Sequence, residues 1–215
     1  MKEIWFIRHG ESEANAGLPT SVAGEINLTT RGKEQASALS SLITFPPDLF
    51  ILSSYIRTHQ TAEPTLQKFP DVPVEIWPIH EFDFLSPREC MNTTVDQRKP
   101  WVKSFWDKCE ISYTHGEDSE SFGNFQTRVL SSIRCLEEID AEKIIVFAHG
   151  HVIRAIWQYI IIRDHVVNNA SMEFFRDIMS QLPVPNTAIF KAAVDGHQWR
   201  MIDPVYIPNS KKQVL

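Results

Sequence analysis

Two short apolar runs that lie far apart in the chain end in the same way, and this constrains the fold more than any other feature. Residues 4–7 read Ile-Trp-Phe-Ile and stop at Arg8-His9-Gly10; residues 144–148 read Ile-Ile-Val-Phe-Ala and stop at His149-Gly150-His151. Runs of this length are too short for a membrane span, and their Ile, Val, Phe and Trp content favours strand over helix. A buried strand that ends abruptly in cations, imidazoles and a glycine delivers its last residues to a sheet edge, where open α/β sheets bind ligands. Gly10 permits a sharp turn and close backbone approach to a ligand. A third run, Leu49-Phe50-Ile51-Leu52, ends in Ser53-Ser54 and leads into Tyr55-Ile56-Arg57-Thr58-His59-Gln60-Thr61-Ala62. If the three strands are parallel neighbours, Arg8, His9, Arg57 and His149 converge at one edge of one sheet.

Two arginines around two imidazoles form a pocket for a dianion, because guanidinium forks match phosphate oxygens in a bidentate way. A neutral imidazole nitrogen is a good nucleophile toward phosphorus. Attack by His9 would split one hard step into two through a phosphohistidine that water then hydrolyses. The arginines would keep His9 unprotonated by like-charge repulsion and stabilise charge on the transferring phosphoryl group. For one ring nitrogen to attack, the other must donate its proton, and a backbone carbonyl near Gly10 is the expected acceptor. The leaving oxygen needs an acid. Glu81 and Asp83, in Ile79-His80-Glu81-Phe82-Asp83-Phe84, follow the strand-like Val74-Glu75-Ile76-Trp77 and are the candidates. A carboxyl buried among Phe82 and Phe84 is expected to have a raised pKa, which suits a general acid.

The chain resembles the histidine phosphatase (phosphoglycerate mutase-like) superfamily. The resemblance begins at Arg8-His9-Gly10 and extends through Glu11-Ser12, Asn15 and the helix start Leu28-Thr29-Thr30-Arg31-Gly32-Lys33-Glu34-Gln35-Ala36. It continues through Ser53 to Ala62 and closes with Ala148-His149-Gly150-His151-Val152-Ile153-Arg154. These blocks cover residues 4 to 154 in the family's order. The resemblance implies that His9 is the phosphorylated nucleophile and that Arg8, Arg57 and His149 form the phosphate pocket. It further implies that Asn15 is an additional phosphate ligand and Glu81 the proton donor. Gly150, in the closing block, is counted with the substrate-binding residues. No metal and no cofactor is expected.

At 215 residues the chain suits one sizeable domain with a three-layer core. Strands alternate with helices: strand 2–8, helix about 31–43, strand 48–53, helix about 57–69, strand 73–77, helix about 120–139, strand 143–148 and helix 151–162. This order predicts an α/β/α sandwich with a mostly parallel sheet. Asn168 to Gln181 reads as a further helix. Thr187–Val194 and Gln198–Ile202 flank the hairpin signal Asp195-Gly196 and are placed as an antiparallel pair at the sheet edge. Residues 82 to 120 break the alternation and read as a small cap insertion in a single domain spanning 1–215. The polar tail from Pro208 is expected to fray. A net charge of −6 with no basic stripe argues against nucleic acid and makes any anion site depend on local focusing. Three widely spaced cysteines, Cys90, Cys109 and Cys135, predict reduced thiols and a cytoplasmic protein. No leader or long apolar run indicates export or a membrane partner. A homodimer is compatible with the sequence without being required by it.

Three other readings compete. A metal hydrolase could draw ligands from His149, His151, His9 and Asp83, since i and i+2 residues of a strand share a face; the arginine pair would oppose a divalent ion there. A phosphoglycerate mutase is nearer, but mutases of the family carry Trp before the Asn where this chain has Ala14, and have a longer shielding loop and tail. Both departures favour hydrolysis. A non-catalytic phospho-ligand binding protein is the third, set against every expected pocket position being filled. His59, His80, His115, His165 and His197 are expected to have no catalytic role. Specificity should lie in the cap, where Arg88, Arg98 and Lys99 could meet further acidic groups. Trp101 and Trp106 there could stack on a ring, with plain packing the better reading for Trp101 and Phe105. The reading as a whole is a metal-independent phosphatase of a small phosphorylated metabolite, such as a sugar or glycolytic phosphate.

Overall fold

Every residue of the three apolar runs is buried, yet neighbours along each run face opposite ways, as the period of a strand requires. Ile4, Phe6, Leu49, Ile51, Ile144, Val146 and Ala148 enter one apolar cluster, while Trp5, Ile7, Phe50, Leu52, Ile145 and Phe147 enter another. A sheet with two buried faces needs a helical layer on each. The computed structural model, which describes residues 1–163 and 166–202, has both layers.

The strands are β1 (Lys2–Arg8), β2 (Leu49–Ser53), β3 (Val74–Trp77), β4 (Lys143–Ala148), β5 (Ile189–Asp195) and β6 (Gln198–Met201). Their order across the sheet is β3-β2-β4-β1-β5-β6. Strands β3, β2, β4 and β1 are parallel, and the β5–β6 hairpin closes the edge, with β5 antiparallel to β1. The helices are α1 (Thr30–Leu42), α2 (Ile56–Lys68), the short α3 (Pro87–Cys90), α4 (Val95–Lys108), α5 (Phe122–Glu138), α6 (Gly150–Ile162) and α7 (Asn169–Gln181). Leu39 and Ile43, at the end of α1, and Ala62 of α2 cover one face. On the other face lie Val129, Ile133 and Leu136 of α5, Val152 and Ile156 of α6, and Met172 and Phe175 of α7. The fold is therefore the α/β/α sandwich that the alternation predicts.

One difference from the sequence reading, and the packing of the cap, bear on the site. Strand β5 starts at Ile189 rather than Thr187, because Thr187 adopts a left-handed backbone, φ 59°, that a β-branched residue tolerates only under constraint. Within residues 82 to 120, Phe82, Phe105 and Trp106 belong to the same apolar cluster as the β4 and α7 side chains. The segment lays α3 and α4 over the carboxyl ends of the strands. His165 and the tail beyond residue 202 lie outside the described residues.

Candidate active site

Strands β1, β4 and β2 are parallel neighbours in register, with Arg8 beside Ala148 and Leu52 beside Phe147. Their tips therefore bring Arg8-His9, His149 and the Ser53–Arg57 segment to one place. The His9 and His149 rings lie 5.2 Å apart, centre to centre, and Arg57 Nε donates to His9 Nε2 at 3.3 Å. Both imidazoles and Arg57 are buried.

The main chain at β1 is held from several directions. His9 Nδ1 donates to the carbonyl of Gly10 at 2.7 Å, which presents Nε2 as the unprotonated nitrogen. Gly10 N–H donates to Thr61 Oγ1. Asn186 Nδ2 donates to the carbonyls of His9 and Gly10 at 3.0 and 3.1 Å and to Asn15 Oδ1 at 2.9 Å. Thr187 N–H donates to the carbonyls of Arg8 and His9. Behind the loop, the start of α1 packs backbone to backbone: a Cβ on Gly32 would stand 2.0 Å from the Glu11 carbonyl oxygen. Thr29 caps that helix by accepting from Gly32 N–H, and its hydroxyl reaches Glu11.

Burial first, then the charges of Arg57 and Arg8, holds His9 well below the usual histidine pKa. Burial and Arg57 do the same for His149, so both rings are neutral at physiological pH. Arg8 is lowered by burial to about 10 and keeps its charge. His149 shares a 2.7 Å hydrogen bond between its Nε2 and Ser53 Oγ. Its Nδ1 and the Nε of Arg8 are buried without a hydrogen-bond partner. Two unsatisfied buried polar atoms beside a nucleophile are costly in a resting fold, and a ligand oxygen would satisfy them.

Glu81 and Asp83 differ in a way the sequence reading did not separate. Burial pushes the Glu81 carboxyl up, but His151, whose Nδ1 lies 3.2 Å from Oε1, outweighs it together with His149 and Arg57, holding Glu81 well below the usual carboxylate range. Its oxygens also accept the backbone N–H of His151, in the first turn of α6, and of Phe82, so the positive end of that helix favours the anion. Burial pushes Asp83 up to about 6, against a hydrogen bond from the Tyr55 hydroxyl and the nearby charge of Arg57. The raised carboxyl expected among Phe82 and Phe84 is Asp83, and Glu81 is ionised. Gly150 passes close over this group: a Cβ there would lie 3.7 Å from Glu81 Oε2 and 3.8 Å from Arg8 Nε.

Arg8, His9, Arg57, Glu81 and Asp83 line the floor of a cleft of about 330 Å³ that also includes Ser12, Asn15 and His151 and is roofed by α3, α4 and the Phe82–Leu85 segment; His149 lies buried beside His9. A family model described as the histidine phosphatase superfamily (branch 1) matches residues 4–203. The chain belongs to this superfamily. Among curated relatives, the 6-phosphofructo-2-kinase/fructose-2,6-bisphosphatase of Aquarana catesbeiana is 30% identical over 162 residues, 74% of this chain and 32% of that protein. The chain thus spans about a third of the length of the curated relatives it matches. Among solved structures, the alpha-ribazole phosphatase of Shigella flexneri aligns at a TM-score of 0.73 with 24% identity, covering 99% of this chain and 98% of that one. A mycobacterial glucosyl-3-phosphoglycerate phosphatase with VO3 aligns at 0.67 with 16% identity, covering 94% and 98%. Membership of the histidine phosphatase superfamily supports a phosphatase, and the solved structures share its fold.

In this superfamily member the residues proposed as a metal set do not converge. Strand β4 ends at Ala148, so His149 and His151 do not share a strand face; one meets Ser53 and the other Glu81. Asp83 is held by Tyr55. The cap cations are placed differently from the expectation as well. Arg88 and Lys99 are exposed, and Lys99 pairs with Asp96. Arg98 lines the cleft, but its Nε and Nη2 are committed to Thr93, Thr20 and the Cys90 carbonyl. Trp106 is buried against Phe175, and Trp101 lies against His115, 5.9 Å between ring centres, so neither faces the cleft. Sequence reasoning missed Asn186, Thr187 and the role of Ser53. No helix among the described residues is long and apolar enough to cross a membrane.

Proposed function

We propose that this chain hydrolyses a small phosphomonoester without a metal ion, through a phosphohistidine on His9. The observation that carries this reading is the arrangement at the strand tips. His9 is neutral with its Nδ1 proton given to Gly10 O, and Nε2 lies among Arg57, the unpartnered Arg8 Nε and the unpartnered His149 Nδ1. A phosphoryl dianion entering there takes over Arg57 Nε and occupies the two vacant polar atoms, which exposes the Nε2 lone pair to phosphorus. The N–P bond forms as the ester P–O bond breaks, and two guanidiniums stabilise the charge that develops on the equatorial oxygens.

The leaving oxygen takes its proton from Glu81. That carboxylate is ionised before substrate arrives; the dianion's charge beside it raises its pKa, and a substrate bound as the monoanion brings the proton with it. In the second half-reaction Glu81 accepts a proton from water as the water oxygen attacks phosphorus, the N–P bond breaks, and inorganic phosphate leaves. Asn15 offers a further donor: its carboxamide oxygen accepts from Ser12 and Asn186, which turns the NH2 half toward other partners.

The test is p-nitrophenyl phosphate hydrolysis from pH 5 to 8 in chelator, wild type beside His9→Ala, with acid quenching to trap phosphoprotein. Turnover and an acid-labile adduct in wild type alone are expected. Activity that chelator removes and a divalent ion restores would overturn the metal-independent reading, and bisphosphate-dependent exchange on 3-phosphoglycerate in place of hydrolysis would make the chain a mutase.

A further inference from the structure

We infer that the outer half of the cleft selects an ester whose leaving alcohol is uncharged and apolar, with room for about one ring, over the acidic esters of sugar and glycolytic type. This rests on the phosphatase reading above and names its substrate class. Beyond the strand tips most of the wall is apolar: Ile26 on one side, Leu85 just before α3 and Pro87 at its start, and Val95 and Val102 on α4, with Thr20, Ser21, Cys90 and Arg98 as the polar members. The whole cleft, about 330 Å³, lies near the lower end of the range of small-molecule sites, roughly 300 to 1,000 Å³. Part of that volume belongs to the phosphoryl group, so what remains suits a ring rather than a polypeptide segment.

A second phosphate or a carboxylate has little to recognise it here. Arg8 and Arg57 belong to the phosphoryl end. Of the other basic side chains lining the cleft among the described residues, His151 lies against Glu81, Nδ1 to Oε1 3.2 Å. Arg98 donates from Nε to Thr93 Oγ1 at 2.7 Å, and from Nη2 to Thr20 Oγ1 and the carbonyls of Thr93 and Cys90 at 2.5, 2.7 and 3.1 Å. Those bonds tie the loop at Thr20 to the turn before α4, and they leave at most the Nη1 edge for a ligand. Glu81 and Asp83 share the cleft, so a second anion would be repelled by carboxylates as well as stripped of water against Val95, Val102 and Leu85.

The experiment compares three primary alkyl phosphates, so that leaving-group acidity does not decide the outcome: 2-phenylethyl phosphate, glycerol 3-phosphate and 3-phosphoglycerate. With p-nitrophenyl phosphate as the common reference, kcat/KM is measured for each in wild type and in Val95→Lys, a change at an exposed apolar rim position. The phenylethyl ester is expected to exceed 3-phosphoglycerate by about 30-fold or more, the range that burying one ring supplies. Val95→Lys should narrow that ratio by about tenfold, and a ratio within one preparation does not depend on how much of the variant is folded. Preference for 3-phosphoglycerate by the wild type, or a ratio unmoved by the lysine, would overturn the inference while leaving the phosphatase reading standing. Failure of wild type on every ester, p-nitrophenyl phosphate included, would take down both.

Discussion

At the strand-tip end of the cleft, four separate segments fix each polar group: β1 supplies Arg8 and His9, β2 and α2 supply Ser53 and Arg57, β4 supplies His149, and the Asn186–Thr187 corner holds the β1 main chain. At the cap end, one segment provides most of the wall, most of its lining side chains are apolar, and its one inward-facing arginine is used to brace the fold. The first end is over-determined, as a site must be to hold reacting groups in place. The second is a shaped apolar surface that excludes more than it grips. A change at the floor should therefore remove activity for every substrate, and a change at the cap should redistribute activity among substrates.

The largest effect tests the floor. His9→Ala should lower kcat by about 10⁴-fold or more for every ester and remove the acid-labile phosphoprotein; a residual rate within tenfold of wild type would show that the nucleophile lies elsewhere. Next comes the choice of acid. Glu81→Gln should slow alkyl esters by about 10²- to 10⁴-fold and affect p-nitrophenyl phosphate much less, because that leaving group needs no proton. Asp83→Asn should cost alkyl esters less than tenfold. The reverse pattern would transfer the role to Asp83, whose pKa near 6 makes it the better proton reservoir in the empty site.

Stability separates the two ends in a different way. Gly32→Ala forces a Cβ against the Glu11 backbone, where nothing flexible can give way, and should cost about 3 kcal/mol, lowering Tm by about 9 °C in a chain of this size. Val95→Ala on the cap should move Tm by no more than about 1 °C; equal shifts would refute the contrast. Asp83 adds a pH dependence. Because its carboxyl is raised from 3.8 to about 6 in the fold, its neutral form is the one folding favours. That contribution is complete below pH 3.8 and is lost as pH rises through about 6. The stability of Asp83→Asn relative to wild type should therefore grow between pH 4.5 and 7.5, by about 1 to 3 kcal/mol. A flat difference in urea titrations would remove the raised carboxyl.

The same contrast explains what could be read from the residues alone. Residue types at strand ends announced the floor, because Arg8, His9, Arg57 and His149 have no reason to cluster at buried strand tips unless they meet. That the three strands are parallel neighbours was only a condition of that reading, and the order β2-β4-β1 comes from the structure. Asn186 and Thr187 were missed although a signal existed: an antiparallel strand placed beside β1 must start where β1 ends, so polar residues just before β5 fall at the site. The cap was misjudged because charge in a sequence says nothing about its partner. Arg98 looks like a free cation until Thr20, distant in sequence, is brought beside it, and Trp106 looks like a stacking platform until Phe175 covers it.

The smallest expected effect bears on the sharpest form of that lesson. Arg88 and Lys99 are the cap cations that the sequence offers as readers of acidic groups, and both are exposed. Lys99 pairs with Asp96 at 2.6 Å on the surface of α4, and neither lines the cleft. Exposed pairs of this kind are worth about 0 to 1 kcal/mol, and charges beyond a Debye length of about 8 Å at physiological salt are largely screened. The double change Arg88→Ala, Lys99→Ala should thus alter kcat/KM for 3-phosphoglycerate, the substrate most sensitive to cationic help, by less than twofold at 0.15 M salt. A selective loss of tenfold or more on that substrate, with 2-phenylethyl phosphate unchanged, would mean that the cap closes over bound ester and carries these cations inward, and the cap end would then have to be regarded as a gripping surface like the floor.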